Sequence, residues 1–207
     1  MSLVTLNNRA VRSVTTFGSV GADSIVFIKK LTASSSGTLS FVDGSSSVVL
    51  DSTYKEYMFI FNNIHPASDS VDFQFNLSVD GGSNYNVTKT TTFFRPYQQE
   101  GAEETGALEY QTGEDLAQST AFQSLADRVD NDNDSSCSGT LHLFNPSSTT
   151  FVKHFMSNFD RVFGDSPIQA NDYMAGYGNT TSAVDAVQFK FSSGNIDSGT
   201  ISLYGIS

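Results

Sequence analysis

Tryptophan is absent from these 207 residues, cysteine appears once and proline four times. A single cysteine, Cys137, excludes any disulfide within the chain, so packing has to hold the fold. Positive charge is scarce as well: 11 Lys and Arg stand against 22 Asp and Glu, a formal net charge of −11 at pH 7. Such an excess repels phosphate, which argues against nucleic acid and anionic membrane surfaces as partners. No stretch of about 18 apolar residues occurs, so nothing is expected to insert into a bilayer. The opening MSLVTLNNRAVRSVTTFG has Arg9 and Arg12 but lacks the apolar run of roughly 7–15 residues that a secretory signal needs. A soluble chain made in a cytoplasm is expected. Glycine-rich phosphate cradles, zinc-ligand spacings and dinucleotide fingerprints are missing, and no cofactor is expected.

What the chain has is aromatic rings, 17 Phe and 8 Tyr, set in short alternating runs. In VDFQFNLSVDGGSNY, Val71, Phe73, Phe75, Leu77 and Val79 alternate with polar residues. A period of two puts all five on one face of a strand, and Asp80-Gly81-Gly82 ends it in a turn. A second strand is expected from about Tyr85 through NVTKTTTFF. YKEYMFIFNNI, stopping at His65-Pro66, reads as a central strand buried on both faces. SIVFIKKLT, GTLSFVD, GTLHLF, TTFVKHFM, AVQFKFSS and GTISLYGI are further strands, separated by Ser, Gly and Asx turns. One segment departs from the rhythm: Leu116, Phe122, Leu125 and Val129 lie at near-helical offsets behind a cap near Thr112, which predicts a short helix around 114–127. The expectation is all-β: an antiparallel sandwich or barrel with that helical insertion, in one domain.

Candidate chemistry is sparse. DRVDNDNDSSCSG, residues 127–139, places Asp130, Asp132 and Asp134 on alternate residues, as a calcium loop begins. An EF-hand starting at Asp130 needs Gly at its sixth position and Glu at its twelfth, where this chain has Ser135 and Leu141. The stretch therefore reads as a polar loop, with a bespoke calcium site as the alternative. His65, His142 and His154 stand in no recognisable nucleophile context, and Cys137 has no cation close in sequence to activate it, so it reads as an inert loop thiol. Glu100, Glu103 and Glu104 read as an exposed acidic loop, and the sequons at Asn76, Asn86 and Asn179 carry no information without an export route. No residue is assigned as catalytic, cofactor-binding or metal-ligating, and no enzymatic activity is expected.

Several of these stretches occur in a known combination. NIHPASDSVDFQFNLSVDGGSNY resembles a strand, loop and strand of bacteriophage tail and appendage proteins, and FKFSSGNIDSGTISLYGIS resembles their closing hairpin. GTLHLFNPSSTTFVKHFMS and MSLVTLNNRAVRSV look like virion structural proteins of marine phages, including those of cyanobacteria. The resemblance implies a jelly-roll-like β-sandwich used as a building block of a virus particle, in the tail, a fibre or on the head surface. It implies a homo-oligomer, with a trimer favoured, contacting other virion proteins, and it carries over no catalytic residue. Residues 1–17, with Leu3, Val4, Leu6, Val11 and Val14 beside Arg9 and Arg12, are expected to be a docking segment, and 18–207 the sandwich. A lectin-like module binding a host-surface glycan is the alternative, and a polysaccharide depolymerase a third reading.

Overall fold

Alternating apolar residues need a second layer to cover them, and here two antiparallel sheets cover one another. The structure, a computed structural model, describes residues 25–101, 106–163 and 168–207. Its strands in chain order are β1 (Ile25–Thr32), β2 (Leu39–Val42), β3 (Glu56–Pro66), β4 (Val71–Ser78), β5 (Lys89–Gln99) and β6 (Ala107–Tyr110). They continue with β7 (Gln123–Val129), β8 (Cys137–Phe144), β9 (Lys153–Phe163), β10 (Ile168–Gly178), β11 (Ala186–Phe191) and β12 (Ile196–Ile206). One sheet has eight strands in the order β1-β12-β3-β8-β9-β10-β5-β6, the other four in the order β2-β11-β4-β7. The chain changes sheet at most of its connections, so both sheets share one core. This is the β-sandwich expected from the alternation. The docking segment expected at 1–17 lies outside the described residues.

The core is a stack of phenylalanines. Phe41, Phe59, Phe61, Phe73, Phe159 and Phe189 are almost fully buried. Their ring centroids lie 4.9–6.2 Å apart, mostly edge to face. Each such pair adds ~0.5–1.5 kcal/mol beyond the area it buries.

Three expectations need correction. The helix around 114–127 does not form: residues 123–129 are strand β7, and the residues before it are tied to β5 instead of to one another. Lys89 and Ser119 exchange backbone hydrogen bonds of 2.8 and 3.0 Å, and Thr91 N–H donates to the Leu116 carbonyl at 2.9 Å. Those bonds to a neighbouring strand use the groups that a helical turn would have needed. β3 is buried on one face only; Met58 and Ile60 lie half-buried on the other. Cys137 is the first residue of β8 and fully buried, not a loop residue. Strands β6, β7 and β10 had no counterpart among the predicted strands.

Candidate functional site

Of the residues singled out by sequence, His65 meets the Asp130–Asp134 stretch, and His142 and His154 stand apart from it. The Asp130–Asp134 stretch is a turn joining β7 to β8, and His65 Nε2 donates to the Asp132 carbonyl at 3.1 Å. Its aspartates do not gather; among the described residues, the acidic side chains close enough to share an ion are Asp72, Glu114 and Asp127. His142 Nδ1 bonds Glu56 Oε1 at 2.5 Å, and His154 is exposed beside the Tyr177 ring. Burial pushes the Cys137 thiol pKa well up, which keeps it protonated. Glu100 is exposed, while Glu103 and Glu104 lie outside the described residues. Asn76 is fully buried, donating to the carbonyls of Tyr85 and Thr120, and so is closed to glycosylation.

The outer face of the eight-stranded sheet is unusual for a solvent-facing one. Cross-strand register lines up Phe27, Tyr204, Met58, His142, Met156, Ala175 and Thr92 as one row over seven strands. A second row runs through Ser202, Ile60, Thr140, Asn158, Tyr173, Phe94 and Tyr110. Neither row contains a carboxylate, in a chain with 22 of them. Phe27 is 56% exposed, Met156 51%, Phe94 42% and Tyr173 38%. Phe94 and Tyr173 stack in parallel, centroids 5.0 Å apart at 5°. Beside them is a shallow groove of about 360 Å³ bordered by Thr92, His142, Met156 and Ala175. A solvated sheet face normally alternates to polar residues, so rings and a methionine in water point to a contact surface.

Between the sheets, at the β5–β7–β10 side, lies a buried layer of charge. Arg161 Nε donates to Asp172 Oδ2 at 2.7 Å, both side chains having essentially no exposure. Asp127 Oδ2 accepts from Arg95 Nη1 at 2.5 Å, Arg128 Nε at 3.1 Å and Arg161 Nη2 at 3.4 Å. The Phe163 ring lies beneath the guanidiniums of Arg161 and Arg128, 4.2 and 4.7 Å from its centroid. Burial raises the Asp172 carboxyl pKa, with Arg161 working against it. Burial, and then the charges of Asp127 and Asp72, push Glu114 up to about 7; Asp72 is raised by burial first and by Asp127 second. Elsewhere in the interior, Lys89 has no exposure, donates Nζ to Asn76 Oδ1 at 2.5 Å and to the Val87 carbonyl at 2.9 Å, and is brought down to about 7 by burial.

Sequence reasoning did not find this layer, though a signal existed. In KTTTFFR, Lys89 and Arg95 share the parity of the buried Phe93, and Arg161 shares that of Phe155, Phe159 and Phe163. A charge on the apolar side of a strand marks a buried partner. No family model, curated protein or solved structure matches the chain.

Proposed function

We propose that this chain is a non-enzymatic structural component of a bacteriophage particle, in the tail, a fibre or appendage, or on the head surface. It serves assembly by packing against copies of itself and other virion proteins. The phage part of this reading rests on the sequence resemblance. The assembly part rests on one observation, the two carboxylate-free, ring-bearing rows on the outer face of the eight-stranded sheet, which Glu56 and Asp160 flank. A chain of net charge −11 repels its own copies least where acids are few, so those two rows are where copies can meet. Its size suits the task. Seven interstrand spacings of about 4.8 Å, the two rows and the adjoining one through Ile206, Glu56, Phe144, His154 and Tyr177 give on the order of 700 Å², near the ~800 Å² per partner of a stable interface.

Sedimentation of the wild-type chain and Met156→Lys tests this. The wild type self-associates, and the variant does so on the order of 100-fold more weakly, because a lysine at the centre of the contact is desolvated. A wild-type chain that stays monomeric at high concentration would refute the assembly reading. Antiserum against the chain should label intact phage particles; unlabelled particles from a phage encoding it would refute the virion reading.

The exposed Phe94–Tyr173 pair favours one second reading, a lectin-like face for host-surface glycan, since flat rings stack on sugars. Binding on a glycan array that is lost in Tyr173→Ala would favour it, with the virion role unaffected.

A further inference from the structure

We propose that Asp72, Glu114 and Asp127 form a binding site for a hard divalent cation, Ca²⁺ by its size, joining β4 and β7 to the loop after β6. Each offers one carboxylate oxygen, and those oxygens all lie within 4.8 Å of one another. Ca²⁺ holds oxygen at ~2.3–2.6 Å, so ligands facing each other across it stand up to ~5 Å apart, which takes in that whole range; Mg²⁺, spanning ~4 Å and demanding octahedral geometry, takes in only its shorter part. A fourth oxygen is in place. Ser124 Oγ, in a residue 4% exposed, has no hydrogen-bond partner. It lies at the Glu114 carboxyl and lowers that group's pKa, while no acceptor meets it at full hydrogen-bond distance and angle. A buried hydroxyl at the Glu114 carboxyl, with no partner at full hydrogen-bond distance and angle, is a ligand oxygen free to turn to a cation.

The neighbouring arginines do not fill this gap. Arg95, Arg128 and Arg161 all contact the same oxygen, Asp127 Oδ2. Among the described residues, none of them forms a salt bridge with Asp72 or Glu114. Charge balance agrees. Asp72, Glu109, Glu114, Asp127 and Asp172 face three guanidiniums, so with every group ionised two negative charges remain, the charge one divalent cation cancels. Asp72 is further held in place by Arg128 N–H, which donates to its Oδ1 at 3.0 Å. The site is distinct from the Asp130–Asp134 turn.

Thermal unfolding of the full chain at about pH 8, where carboxylates are ionised, tests the proposal with chelator, millimolar CaCl₂ or millimolar MgCl₂. Ca²⁺ should raise the wild-type Tm by several degrees over chelator, Mg²⁺ by less, with calorimetric titration giving one Ca²⁺ per chain. Glu114→Gln and Asp72→Asn should each abolish the rise while melting no lower than wild type in chelator, because each removes a buried like charge without changing size. Asp132→Asn/Asp134→Asn should keep the rise. Equal wild-type Tm in CaCl₂ and chelator would overturn the proposal. So would a full response in Glu114→Gln, or a response lost only in Asp132→Asn/Asp134→Asn.

Discussion

Replacing Lys89 with Met separates the cost of a buried ammonium from every other change. The side chains have similar length, and Lys89 has no exposure. In the folded chain its pKa falls to about 7, with burial as the cause, while the unfolded chain holds it at 10.5. Below pH 7 both states carry the proton and the folded state bears the full desolvation. Between pH 7 and 10.5 the folded state sheds the proton first, so the unfolded state binds more protons and stability climbs with pH. Integrating that linkage, the stability of wild type relative to Lys89→Met should rise by roughly 3 kcal/mol from pH 7 to about 9.5, at ~1.4 kcal/mol for each tenfold fall in proton concentration. Losing the bonds to Asn76 Oδ1 and the Val87 carbonyl shifts the whole difference by a constant and leaves the slope intact. Titrations of tyrosines and other groups cancel in the comparison. Urea unfolding of both proteins at pH 6.5, 8 and 9.5 (approximate values chosen to bracket the window) measures it, and a difference that stays flat would show that water reaches the ammonium.

Two other perturbations follow from the interior. Arg161→Met should cost ~3–5 kcal/mol in denaturant unfolding, because Asp172 is left buried and unpaired. Arg161→Met/Asp172→Leu should recover more than half of that loss; no recovery would mean that the arginine acts by packing. Gly199 has φ +118, and a Cβ there would stand 2.5 Å from the Asn63 carbonyl oxygen. Gly199→Ala should therefore lower Tm by ~4 °C or more in calorimetry, from ~2 kcal/mol of strain, and an unchanged Tm would contradict that geometry.

Much of the fold is legible in the sequence because alternation is a local signal. Val71, Phe73, Phe75 and Leu77 sit inward as their parity dictates, and so do Ile201 and Leu203, but Val79, expected on the same face, lies past the end of β4 and is exposed. β7 was hidden by its own irregularity: register shifts against β4 and the positive φ of Arg128 break the period of two, leaving offsets that imitate a helix. The β10 sequence IQANDYMAGYG shows a small inward set, Ala170, Asp172 and Met174, too polar to read as a core strand until Arg161 is seen opposite. The outer face was illegible for a different reason. Met58, His142, Met156 and Ala175 come from four strands, and only the register brings them into one row. The carboxylate trio likewise joins a strand residue, Asp72, to a loop residue, Glu114, across more than forty positions of chain.

Contact between copies through the outer face of the large sheet is what the proposed function needs most. Met156→Cys gives the described surface a single exposed thiol at the centre of that face, since Cys137 is buried and its thiol held protonated. The labelling rate of that thiol should fall by about tenfold as protein concentration is raised through the association range, when nine chains in ten hold it covered. A rate that stays the same at every concentration, while the chain sediments as an oligomer, would place the contact elsewhere and contradict the proposed role of this face.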